Sequence, residues 1–83
     1  MYFMRIEINK YVIADTEICH GQPTFKGTRI MVQQVIELLG AGVTIEEIIT
    51  DYFPQLTKEA IFAALHYASE IIGGEGYVFF RQA

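Results

Sequence analysis

The sequence predicts a mainly α fold behind an extended N-terminal third, with three helices of which the second and third have the outline of a helix-turn-helix unit. Three observations carry this reading. Apolar residues alternate with a period of two near the start, and they recur at helical spacing from residue 31 onward. Glycine, proline and capping hydroxyls punctuate the joints between those stretches. The chain reads as a single domain, 1–83, in three parts: strands and turns over 1–30, a three-helix unit over 31–72 and a tail over 73–83.

Each element has its own local signal. "YFMRIEI" places Tyr2, Met4, Ile6 and Ile8 on one parity and Phe3, Arg5 and Glu7 on the other, the pattern of a half-buried strand. Asn9 and Lys10 favour a turn, "YVI" forms a second short extended piece, and Thr24 to Ile30 gives a third, broken at Gly27. Val32, Val35, Ile36 and Leu39 then share one face of a helix that Gly40 and Gly42 should stop. "TIEE" opens the next helix as a capping box: Thr44 is the N-cap, Glu47 reaches back, and Ile45, Ile48 and Ile49 form the apolar face. After a link from Tyr52 to Leu56 that contains Pro54, Thr57 caps a third helix. Its core face is Ile61, Ala64, Leu65, Ala68 and Ile72, and Gly73 and Gly74 end it. The tail "GEGYVFFRQA" has two readings, a strand paired with Tyr2 to Ile8 or a partner-binding, exchangeable end.

Composition bounds the function. A chain of 83 residues buries only about 60% of its extended surface, yet 52% of this one is apolar and 13% aromatic. That surplus points to a partner or to a homodimer. The longest stretch free of Asp, Glu, Lys and Arg is Ala60 to Ser69, ten residues, too short for a membrane span. The single Cys19 has no partner for an internal disulfide, as expected of a cytoplasmic protein. The net charge of −4 hides an asymmetry. Arg5, Lys10, Lys26 and Arg29 outweigh Glu7, Asp15 and Glu17 by one charge, whereas residues 31–72 set Lys58 alone against six carboxylates.

The residues offer little for catalysis. "GQPTFKGTRIMV" carries Lys26, Gly27 and Thr28 in order, but a phosphate loop needs several glycines ahead of its lysine and only Gly21 lies upstream. The segment therefore reads as a turn: Pro23 fixes an extended entry, Gly27 permits positive φ and Thr28 bonds the local backbone. Cys19, His20 and His66 lack the paired spacing of a zinc site. No nucleophile and base pair stands out, so the expectation is a protein that is not an enzyme and holds neither metal nor cofactor. On the third helix, Phe62, Ala63, His66 and Tyr67 form a second stripe beside the core stripe, either an interface or a completion of the core.

"GQPTFKGTRIMV", followed after a helix by "GAGVTIEEIITDYFPQLTKEAIFAALHYA", resembles the bacterial and archaeal domain of unknown function 433 family over about Ile13 to Ala68. The shared pattern is Gly21 and Pro23, the Lys26 to Arg29 run, Gly42, the Glu46-Glu47-Ile48 helix start, Asp51 and Tyr52 before Pro54, Leu56-Thr57 and the Ala-rich third helix. His20 stands where a glycine is usual, Met31 where a proline is frequent, and Phe53 is an extra residue in the turn. The resemblance implies a winged or homeodomain-like helix-turn-helix fold with a short N-terminal β hairpin. It also implies similarity to VapB-type antitoxins, which are encoded beside a PIN-like nuclease toxin and inhibit it, with autoregulation of the operon as a second role. The expected function is that of a non-catalytic antitoxin-like protein, probed through Phe62, His66, Tyr67, Tyr77, Phe79 and Phe80 as partner-binding residues. The rival is a DNA-binding regulator using Lys26, Arg29 and Lys58, and a third reading is a homodimeric interaction module. Arg29 is expected either to pair with an acidic residue such as Glu47 or Asp51, or to reach a ligand.

Overall fold

The computed structural model describes residues 4–73. Three short strands, β1 (Arg5–Glu7), β2 (Val12–Asp15) and β3 (Pro23–Phe25), form an antiparallel sheet in the order β1-β2-β3. The expected hairpin thus gains a third strand, because the piece begun at Pro23 pairs with β2 in the register Val12↔Phe25 and Ile13↔Thr24. Pro23 lies on the sheet's edge, where a missing N–H costs least. Beyond Phe25 the chain turns through Gly27 at φ 79°, and the Thr28 hydroxyl donates to the Phe25 carbonyl at 2.8 Å while accepting the Ile30 N–H at 3.0 Å. The segment that resembles a phosphate loop is a turn stitched together by its own threonine.

Two side-chain caps shape the other connections. At the β1–β2 turn the Asn9 carboxamide oxygen accepts the N–H groups of Tyr11 (2.8 Å) and Val12 (3.0 Å), and its nitrogen donates to the Ala63 carbonyl at 3.3 Å. One asparagine therefore closes the hairpin and ties it to the third helix. After β2 the buried Asp15 carboxylate accepts the Glu17 N–H at 2.8 Å and stands 3.9 Å from the Arg5 guanidinium. The chain then makes a left-handed turn, with φ of 51° at Cys19, 58° at His20 and 86° at Gly21.

The helices begin where their caps dictate. α1 (Val32–Gly40) opens with the Gln34 side chain accepting the Met31 N–H at 2.8 Å. It closes in a Schellman motif: the Val43 N–H returns to the Leu38 carbonyl and that of Gly42, at φ 94°, to Leu39, so Gly42 is the stop and Gly40 is still helical. α2 (Ile45–Glu47) has the expected reciprocal box, with Thr44 and Glu47 exchanging bonds of 2.9 and 3.1 Å. It continues as a wider turn over Ile48–Tyr52 that ends with the Phe53 N–H donating five residues back to the Ile48 carbonyl at 2.7 Å. Phe53, which the resemblance marks as an added residue, coincides with this widened turn. α3 (Lys58–Ile72) is capped by the Thr57 hydroxyl, which accepts the Ala60 N–H at 3.1 Å.

The core lies where one face of the sheet meets the helices. Val12, Phe25, Val35, Ile48, Ile61 and Ala64 are buried there, and Leu56 in the α2–α3 link plugs it. Each large side chain contributes roughly 1.5–3 kcal/mol of transfer free energy. Three expectations about burial need correction. Met4 and Ile6 lie on the predicted apolar parity of β1 but remain 45% and 53% exposed, because β1 is an edge strand that the helices do not reach. Ile72, assigned to the core face of α3, is 58% exposed. At 1.5 Å per residue α3 is about 22 Å long against about 13 Å for α1, so its last turn overruns the core. The tail reading, strand or exchangeable end, lies outside the described residues.

Candidate functional site

Two faces of the molecule gather chemistry. The first belongs to α3, whose exposed apolar residues lie on two flanks, Phe62 on one and Ile71 on the other. Phe62 is 53% exposed, and His66 is exposed with its Nε2 3.4 Å from the Glu70 carboxylate. Tyr67, by contrast, is half-buried and packs against the core, so the predicted stripe divides into a solvent-facing edge and a packed edge. Tyr67 lines an open groove of about 340 Å³ between α1 and α3, together with Val32, Ile36, Ala68, Ile71 and Ile72. Ile71, at 67% exposure, and Ile72 form its free rim. These two isoleucines are the residues that sequence reasoning missed. Their signal was an apolar pair directly before two glycines, at the end of a helix longer than its neighbours. Tyr77, Phe79 and Phe80 lie outside the described residues.

The second face is at the amino end of α3. Lys10, Tyr11, Lys26, Thr28, Leu56 and Thr57 line an open cleft of about 320 Å³. Lys10 stacks on Tyr11, its ammonium 5.6 Å from the ring centre, and Lys26 pairs with Glu7 at 3.1 Å. Lys58 pairs with Glu46 at 3.6 Å. Each of these two pairs leaves less free positive charge than the count of lysines promises. Arg29 does not join them. It is exposed, and its side chain pairs with neither Glu47 nor Asp51 nor any other described carboxylate. Its peptide carbonyl accepts a weak 3.5 Å bond from the Cys19 thiol, which clips the left-handed turn to the loop before α1.

Among the described residues no three of His, Cys, Asp and Glu are grouped to hold a metal ion, and no helix is long and apolar enough to cross a membrane. The described residues form a small module of a three-stranded sheet and three helices. A family model described as Protein of unknown function (DUF433) matches residues 12–68, more than half of the chain, and the chain belongs to that family. No curated protein and no solved structure matches it.

Proposed function

We propose that this chain is a non-catalytic antitoxin-type protein whose α3 face covers and inhibits a PIN-like ribonuclease encoded beside it. The observation that carries the proposal is the apolar groove between α1 and α3 with Ile71 and Ile72 on its rim. Exposed apolar side chains gathered at one end of a small domain cost solubility, and a protein partner that covers them returns that free energy as affinity. The partner this reading names follows from the antitoxin resemblance within the family. The test is co-expression with the product of the adjacent reading frame, followed by capture and a ribonuclease assay. The proposal expects co-purification and loss of nuclease activity, both abolished by Ile71→Asp. A complex that survives Ile71→Asp together with Ile72→Asp removes this groove from the function.

A second reading, a homeodomain-like DNA-binding regulator in which α2 and α3 form the helix-turn-helix pair, is favoured by one observation. Lys10, Lys26 and the amino end of α3 meet at one cleft, where a phosphate would find two ammonium groups and the positive end of a helix. The pairing of Lys26 with Glu7 weakens it. A gel shift on the chain's own promoter that is lost in Lys10→Glu and Lys26→Glu, and that weakens steeply with salt, supports this reading. Absence of binding to any DNA at low salt removes it.

A further inference from the structure

The outer edge of β1 is a row of open backbone groups with a particular order of side chains. The β1–β2 ladder pairs Met4 with Thr16 and Ile8 with Val12, through bonds of 2.9 Å in each case, and the register places Ile6 opposite Ala14 between them. In an antiparallel ladder bonded pairs alternate with unbonded ones. The N–H and C=O groups of Arg5 and Glu7 therefore point away from β2, and no described residue pairs with them. Met4 and Ile6 stand exposed on one face of this strand, and Arg5 and Glu7 on the other.

We propose that β1 is a self-association surface: two copies of this chain pair antiparallel about a two-fold axis through Ile6, joining their sheets into one of six strands. The strand is complementary to its own reversal. About that axis Arg5 lies opposite Glu7 of the second copy, Glu7 opposite Arg5 and Ile6 opposite Ile6. Arg5 and Glu7 are the outward-bonding residues, so each facing pair exchanges two backbone hydrogen bonds and the edge gains four. On the polar face each such pair also joins opposite charges. With Asp15 beside Arg5 (3.9 Å) and Lys26 beside Glu7 (3.1 Å), signs alternate across the seam as Lys26, Glu7, Arg5 and Asp15. On the apolar face Ile6 meets Ile6, and Met4 meets Ile8, extending the core side of the sheet over the side chains that β1 leaves open. A shift of two residues sets Arg5 opposite Arg5 or Glu7 opposite Glu7, and a shift of one slips the apolar row to the wrong face. This surface lies apart from the α1–α3 groove and is independent of what that groove binds.

The experiment uses the full chain. Analytical ultracentrifugation of the native protein is expected to show a monomer–dimer equilibrium. Ile6→Lys, a change at an exposed position that puts two ammonium groups face to face, is expected to raise the dissociation constant roughly tenfold or more, with the circular dichroism spectrum unchanged. Glu7→Pro removes one outward N–H without breaking the β1–β2 ladder and should weaken association as well. Register is read by oxidation in a Cys19→Ser background. Ile6→Cys places two thiols at an unbonded antiparallel pair about 4.5 Å apart at Cα and should cross-link readily, whereas Arg5→Cys leaves them beyond disulfide reach. A native chain that stays monomeric, as it would if its own residues 77–80 occupied this edge, overturns the proposal. So does a dimer untouched by both Ile6→Lys and Glu7→Pro, or equal cross-linking from positions 5 and 6.

Discussion

His20 shows how one residue can be out of keeping with its backbone. Its φ of 58° lies in the left-handed region, where a side chain costs about 1–2 kcal/mol relative to glycine. The resemblance leads one to expect a glycine at this place, but the meaning of the histidine was not legible in the sequence, because left-handed backbone leaves no periodic trace. His20→Gly should relieve the strain while loosening the unfolded chain, for a net gain of about 0.5–1 kcal/mol in urea unfolding. Gly21→Ala, at φ 86°, should lose about 1 kcal/mol in the same assay. Thr24 is out of keeping in another way. Its side chain is fully buried and its hydroxyl has no hydrogen-bond partner among the described residues. Replacing a threonine by valine ordinarily sacrifices a bond, but here it removes only an unmet desolvation cost. Thr24→Val should therefore stabilise the protein by about 1–2 kcal/mol, and an unchanged or lowered midpoint would mean that the hydroxyl has a partner in solution.

Among the elements, those closed by local chemistry were legible in the sequence and those decided by their neighbours were not. Thr44 with Glu47, Thr57 and Gly42 mark helix ends through bonds within a few residues, and all four act where the sequence puts them. The alternation in β1 identified which side chains share a face, but alternation cannot tell whether another element covers that face, and here Met4 and Ile6 stay open. The third strand and the widened turn ending at Phe53 likewise depend on pairing partners and on a one-residue mismatch that periodicity averages out. The site followed the same division. The exposure of Phe62 and His66 was legible in helical spacing, whereas Ile71 and Ile72 became surface residues only because α3 outruns α1. Loss of a cap should be felt in proportion to what the helix packs against: Thr57→Ala should cost about 1 kcal/mol. Asn9→Ala, which strips two backbone N–H groups of their acceptor and frees the hairpin from α3, should cost about 2 kcal/mol by thermal or urea unfolding.

At the scale of the whole molecule, in a chain with 52% apolar residues the exposed large apolar side chains among the described residues fall at the β1 edge (Met4 and Ile6), at the α1–α3 groove (Ile71 and Ile72), on the opposite flank of α3 (Phe62) and at Tyr52. Asn9 ties the hairpin turn to α3 by donating to the Ala63 carbonyl. If both proposals hold, a chain that binds itself by one edge and another protein by a helix face would carry two partners at once, with neither contact competing for the other's side chains. That separation is itself measurable. Ile71→Asp and Ile6→Lys both alter exposed positions, so each should shift folding stability by no more than about 0.5 kcal/mol. Ile71→Asp should abolish capture of the nuclease while leaving the sedimentation of the free chain unchanged, and Ile6→Lys should do the reverse, giving complexes of one chain per captured partner. The double variant should then show the two losses added without coupling, as expected of sites that share no contacts. If Ile6→Lys also released the partner, the two surfaces would be parts of one, and binding to the nuclease would require the dimer.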